Sequence, residues 1–339
     1  MTKNILIHIG LHKTGTSFLQ ALLAKNAVAL AAQGCVYAGK CTTSLSRPGD
    51  GIKPSLARQV DTFLKDARFQ TLIFSDEDLS HNVDGACERL VQKMSKQADV
   101  SVIVYLRDVM SYYKSFYCYA AAALMKTDKL PPFDGFAEYI RLQTAYLNAV
   151  DLLQSLRKSL PADALITRRF SKASFCNQNL EDDFCHVAGI ESSDFIPLSG
   201  QVNVSPTFGQ TQALYFAMGL TRDITTRQMF MNRLLSSPDS VVGPMQPSPK
   251  DIGLLYSLYG DAEEVLGTSF LNSQDTNGSP LKERDTWRSA DNGSAVPDNL
   301  SSAEQDAVRE MLDGLQPGRS ALRLREICRR VRTHIQRNR

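Results

Sequence analysis

The sequence predicts an α/β fold: a doubly wound parallel sheet flanked by helices, with a helical C-terminal extension. Three observations carry this. Short runs rich in Val, Ile and Leu recur without clean polar alternation, as strands covered on both faces require. Helix-like stretches lie between them, and strand–helix alternation implies parallel strands joined by right-handed crossovers. The 339 residues are 43% hydrophobic and 22% charged, which is globular composition with enough chain to bury a sizeable core. Disorder, collagen and coiled coil are excluded.

Residues 4–9 form the first strand and 16–32 the helix after it. A weaker strand at 35–37 and a helix at 55–65 follow. Residues 71–74, 100–106 and 164–170 are further apolar strands, with helices at 109–125 and 136–156 between the last two. Beyond about residue 200 the pattern turns helical and irregular. Residues 236–250 carry four Pro, a surface loop, and 16 of the 30 residues at 271–300 are Gly, Pro, Asn, Ser or Asp, a polar connection. Ser301, with Glu304 three residues on, opens a helix through a capping box, and that helix stops near Gly314. A last helix carries Leu324, Ile327, Cys328, Val331 and Ile335 on one face and Arg on the rest. The domains read as 1–270, the connection 271–300 and the helical extension 301–339.

The net charge of +2 is unevenly placed: residues 319–339 hold eight Arg against one Glu, leaving −5 over the other 318 residues. Only the tail invites an anionic partner. Packing its apolar face on the body, with Arg solvated, is the ordinary reading, and the tail also suits peripheral contact with anionic lipid. No apolar run reaches membrane-spanning length and the N-terminus lacks a secretory pattern, so a cytoplasmic location is expected. Seven scattered Cys without a C-x-x-C pair fit reduced thiols better than disulfides or zinc.

Ligands in such sheets bind beyond the carboxyl ends of the strands, and the first strand runs into Gly10-Leu11-His12-Lys13-Thr14-Gly15-Thr16-Ser17. Two glycines allow a sharp turn, the helix start adds partial positive charge and Lys13 adds a full one, which makes a P-loop-type phosphate cradle. It departs from the Walker pattern because Lys13 lies inside the loop and Thr16 follows Gly15. A bare strand–helix turn is the plain alternative, and Mg²⁺-dependent kinase chemistry is disfavoured by the displaced Lys. The strand at 100–106 delivers Arg107, with Ser111 and Ser115 on one face of the next helix. An Arg fork and a Ser hydroxyl suit one phosphate dianion, whereas pairing of Arg107 with Asp108 is the plain reading.

Residues 8–20, H-I-G-L-H-K-T-G-T-S-F-L-Q, resemble the 5′-phosphosulfate loop of sulfotransferases that use 3′-phosphoadenosine-5′-phosphosulfate (PAPS). The His-Lys-Thr-Gly-Thr form is most similar to a bacterial branch. The resemblance implies PAPS as co-substrate, 3′,5′-ADP as product and no metal. It implies that Lys13 contacts the bridging oxygen and the departing phosphate, that Thr14, Gly15, Thr16 and Ser17 hold the 5′-phosphate with His12 also at the cofactor, and that Arg107 with Ser115 eight residues on takes the 3′-phosphate. Val109 stands where the family usually has Pro. Asp182-Asp183-Phe184 and Asn203 also match its layout.

Transfer requires a base for the acceptor proton, and the third strand ends in Ser75-Asp76-Glu77-Asp78. Crowded like charges are expected to raise one another's pKa. Glu77 is the first candidate and Asp76 the second, with His12 and His81 behind; acidic helix caps are the plain alternative. Tyr105, Tyr112, Tyr113, Phe116, Tyr117 and Tyr119 read mostly as core, and Trp287 as a loop anchor or acceptor contact. The expected acceptor is a hydroxyl or amine, a glycan favoured over a lipid or small metabolite. Nucleic acid is not expected, because the charge is not spread over a face. A non-catalytic nucleotide-binding module held at anionic surfaces by the tail is the alternative of different class.

Overall fold

Five strands form one sheet: β1 Asn4–His8, β2 Cys35–Gly39, β3 Thr71–Ser75, β4 Asp99–Leu106 and β5 Leu165–Arg169, in the order β2-β3-β1-β4-β5. All pairings are parallel. The computed structural model describes residues 2–42, 53–198, 205–236, 242–271 and 299–315. β1 is central, with His8 opposite Ser75 of β3 on one side and Ile103 of β4 on the other. Ile5, Ile7, Ile73, Phe74, Val102 and Ile103 are fully buried, which is why these strands read as unbroken apolar runs.

The helices after β1 are α1 Thr16–Lys25 and α2 Ala27–Ala32. That connection steps outward past β3, whereas the later ones step the opposite way. Right-handed crossovers therefore place α1 and α2 on one face, and α3 Leu56–Lys65, α4 Ala86–Ser95 and α7 Ala145–Ser159 on the other. On the first face Leu19, Leu22, Leu30 and Phe184 pack with Leu6, Ile73 and Ile103. Burying each such side chain contributes about 1.5–3 kcal/mol. Winding reverses at β1, so a crevice opens at the carboxyl ends of β1, β3 and β4.

The remaining helices are α5 Val109–Leu124, α6 Gly135–Leu142, α8 Leu180–Ala188, α9 Phe208–Leu220, α10 Ile224–Ser236, α11 Pro249–Phe270 and α12 Ser302–Leu315. The described residues divide into two compact units: those of 2–112, 141–198 and 253–271 form the first, and those of 113–140, 205–252 and 299–315 the second. The second has its own core, in which Met125, Leu214, Met218, Phe230 and Leu312 cluster. Its Arg227 is fully buried and donates to the carbonyls of Thr221, Thr127, Lys129 and Met218 at 2.7–2.9 Å. Those bonds satisfy a guanidinium that burial would otherwise penalise. Among the described residues no helix is long and apolar enough to cross a membrane.

Two expected helices are each two. The stretch 16–32 breaks at Asn26, whose side chain donates to Leu22 O at 3.0 Å and accepts Ile196 N at 2.6 Å. The stretch 136–156 breaks between α6 and α7, where Gln143 O accepts the Tyr259 hydroxyl. α4 was not anticipated. The capping box is present: Ser301 Oγ accepts Glu304 N, and Glu304 Oε2 accepts Ser301 N at 2.8 Å. The Arg-rich tail 319–339, Asn203, Trp287 and most of the connection 271–300 lie outside the described residues.

Candidate active site

The loop after β1 starts as a continuation of the sheet. Ile9 N donates to Ile103 O, Tyr105 N to Gly10 O and Leu11 N to Tyr105 O, at 2.7–3.1 Å. The chain then turns through positive φ at Gly10 (94°), Lys13 (63°) and Gly15 (76°). Gly15 is the residue before α1, and a Cβ there would stand 2.4 Å from Leu180 Cδ2. Lys13 holds a left-handed conformation that costs a non-glycine residue about 1–3 kcal/mol and persists where the surroundings impose it. Thr14 Oγ1 donates to Leu11 O at 2.5 Å, bracing the loop internally.

The first turn of α1 carries no acidic side chain, and no side chain caps it. Thr16 Oγ1, in that turn, is buried and has no hydrogen-bond partner among the described residues. An uncapped helix start beside a buried hydroxyl can accept an oxyanion, because both offer donors and the helix end favours negative charge. Ser17 is exposed at the same turn.

The turn after β3 stands against this loop: a Cβ at Gly10 would come 3.3 Å from Glu77 Cβ. Glu77 Oε1 lies 2.7 Å from Lys40 Nζ, and Oε2 accepts Gln20 Nε2 at 2.7 Å. Burial raises the Glu77 pKa, but hydrogen bonds from Lys40, its own backbone and Gln20, with the Lys40 charge, more than offset this and leave it below the ordinary value. Crowding was expected to raise it. The raised carboxyl is Asp78, through burial and then the Asp76 charge. Asp76 is fully buried and accepts Thr42 N at 2.7 Å, Thr42 Oγ1 at 2.8 Å and Asp78 N at 3.3 Å. Its oxygens hold the turn, as the cap reading expected, and this occupancy weighs against Asp76 as a base.

His12 Nε2 stands 3.6 Å from Asp78 Oδ1, and the His12 and His81 rings are 4.4 Å apart. Burial, followed by His81, Lys40 and Lys13, pulls His12 down to about 3, against the opposing pull of Glu77. His81 is also lowered, by burial. The loop and the β3 turn are therefore electrostatically one site.

At the end of β4, Arg107 Nη1 donates to Lys13 O at 2.6 Å and its guanidinium lies 5.5 Å over the Phe170 ring. Arg107 thus ties the loop to the neighbouring strand. Asp108 caps α5 by accepting Ser111 N at 2.8 Å. Ser115 lies in the second turn of α5, half-buried. The Val109 N–H, which Pro would lack, donates to Glu263 Oε1 at 2.9 Å, so the departure from Pro is accommodated by α11. Asp183, fully buried, accepts Tyr105 Oη at 2.9 Å and Arg168 Nη2 at 2.5 Å, which fixes β4, β5 and α8 together. Tyr105, Tyr112, Tyr113 and Tyr117 are core; Tyr119 is 54% exposed.

Lys40, Gln20 and Glu263 were not anticipated. Each meets its partner across the fold, and only a local signal is visible in sequence. The loop glycines, Lys13, Arg107 and Glu77 are brought together around the end of β1.

No family model and no curated protein matches the chain. Solved structures to which it is similar are sulfotransferases. One from Alicyclobacillus acidocaldarius is 14% identical, covering 70% of this chain and 96% of the other at a TM-score of 0.36. The sulfotransferase domain of the Synechococcus PCC 7002 olefin synthase is 12% identical, covering 76% and 94%, at 0.37. A mouse sulfotransferase complexed with PAP is 13% identical, covering 86% and 89%, at 0.35. Overlaps this loose assign no role to individual residues.

Proposed function

We propose that this chain is a PAPS-dependent sulfotransferase of the bacterial branch, working in the cytoplasm on a hydroxyl or amine acceptor, with a glycan hydroxyl favoured. The observation that carries the reading is the orphaned Thr16 hydroxyl at the uncapped start of α1, beside the left-handed Lys13 and Gly15. PAPS brings the sulfuryl group and departs as 3′,5′-ADP. The amides and hydroxyls of residues 14–17 hold the 5′-phosphate, with His12 beside them. Lys13 stabilises negative charge growing on the bridging oxygen. Arg107, anchored on Lys13 O, is assigned with Ser115 to the 3′-phosphate on the family's spacing.

Glu77 takes the acceptor proton. Its depressed pKa keeps it ionised at neutral pH, and Lys40 and Gln20 fix its orientation. Asp76 holds the turn that presents it. The test is transfer of labelled sulfate from PAPS to a panel of glycans, lipids and small alcohols or amines. Wild type is expected to label an acceptor, and Lys13→Ala and Arg107→Ala are expected to abolish labelling; full activity in either variant overturns the reading.

A further inference from the structure

We propose that His12, Asp78 and His81 form a binding site for a divalent transition-metal ion, Zn²⁺ by donor chemistry, where the loop after β1 meets the turn after β3. One ring nitrogen of each His and one Asp78 oxygen lie within 4.8 Å of one another. Ligand atoms around tetrahedral Zn²⁺ stand roughly 3.3–3.6 Å apart, given bonds of about 2.0–2.2 Å. The His12 Nε2 to Asp78 Oδ1 distance of 3.6 Å is already such a tetrahedral edge, and it is longer than a hydrogen bond. The remaining donor separations, within 4.8 Å, shorten to such edges as the side chains draw in on the ion.

The chain builds this cluster in a specific way. Asp78 and His81 are three apart in the single 3₁₀ turn Glu77–His81, where residues at that spacing eclipse. His12 arrives from the other side of the crevice, its ring 4.4 Å from that of His81. Two imidazoles and one carboxylate are a borderline donor set that suits Zn²⁺ and leaves a fourth position open. Neutral imidazole is the ligating form. The Asp76 and Glu77 carboxylates favour an added cation and the Lys13 and Lys40 ammonium groups oppose it, so the donors themselves must supply the affinity.

A metal bound here fixes His12, and with it the loop, to the β3 turn. The three ligands are the same side chains whichever anion the loop receives, so metal binding is read with no anion present. The test titrates the full metal-free chain with Co²⁺ and then Zn²⁺. One equivalent of Co²⁺ is expected to give the visible bands of a tetrahedral nitrogen–oxygen site, without thiolate charge transfer, and Zn²⁺ is expected to displace it. His81→Ala and Asp78→Asn, each checked for folding by circular dichroism, are expected to weaken Zn²⁺ at least about tenfold, since even second-sphere losses cost roughly 10–100-fold. His186→Ala is expected to change nothing. Absent tetrahedral bands, a thiolate band, or equal Zn²⁺ affinity in wild type, His81→Ala and Asp78→Asn overturns the proposal; if either variant fails to fold, the other and the wild-type spectrum decide.

Discussion

Replacing Gly15 by Ala tests the loop geometry directly. Gly15 sits at φ 76°, where an L-residue costs about 1–2 kcal/mol. The new Cβ would stand 2.4 Å from Leu180 Cδ2, closer than carbon atoms approach, and moving that side chain costs about 1–3 kcal/mol as overpacking. The expected loss is about 2–5 kcal/mol from the two effects together, against a total stability of roughly 5–15. Urea unfolding of Gly15→Ala, Leu180→Ala and the double variant separates them. Leu180→Ala is expected to relieve the steric part, giving a coupling energy of about 1–3 kcal/mol, while the backbone part persists. Additive losses, or no loss in Gly15→Ala, would refute the packing of α8 on the loop.

Three further outcomes follow from single contacts. Lys40→Ala removes the hydrogen bond and charge that hold Glu77 below its ordinary pKa, so burial raises it. A base must be ionised, so kcat/KM persists above that pKa and is lost as pH falls through it; the acid limb is expected to move to higher pH, and an unmoved limb counts against Glu77. His8, fully buried, titrates at about 4 rather than 6.5 because of burial. The unfolded chain therefore binds a proton first, so stability is full above about 6.5 and declines by about 3 kcal/mol as pH falls to about 4. His8→Gln is expected to flatten that slope in urea titrations at several pH values, and an unchanged slope contradicts it. Glu263→Ala strands the buried Val109 N–H and is expected to cost about 1–3 kcal/mol, most of it spared by Glu263→Gln, which keeps the accepting oxygen.

Much of the fold was legible because the sheet is buried on both faces: the runs at 71–74 and 100–106 lie within one residue of β3 and β4 at each end. The tight turn after β1 was legible because its glycines, lysine and hydroxyls are contiguous. The breaks at Asn26 and Gln143 were not, since tertiary partners at Ile196 and Tyr259 make them. α4 did carry a signal, with Cys87, Leu90, Val91 and Met94 at helical spacing, after the left-handed Gly85. The charge state of Glu77 was illegible for a different reason. Its neighbours in sequence are carboxylates, but the group that decides its pKa is Lys40, 37 residues earlier.

As proposed, residues 10–17 hold 3′,5′-ADP and PAPS through one oxyanion site. Calorimetric titration of 3′,5′-ADP into wild type and Thr16→Val tests it most directly. Val keeps the shape of Thr16 and removes only the orphaned hydroxyl, so folding stability should hold or rise. Affinity for 3′,5′-ADP should fall roughly 10–100-fold, the equivalent of about 1.5–3 kcal/mol for one hydrogen bond to a charged group. Equal affinity in the two proteins would contradict the account.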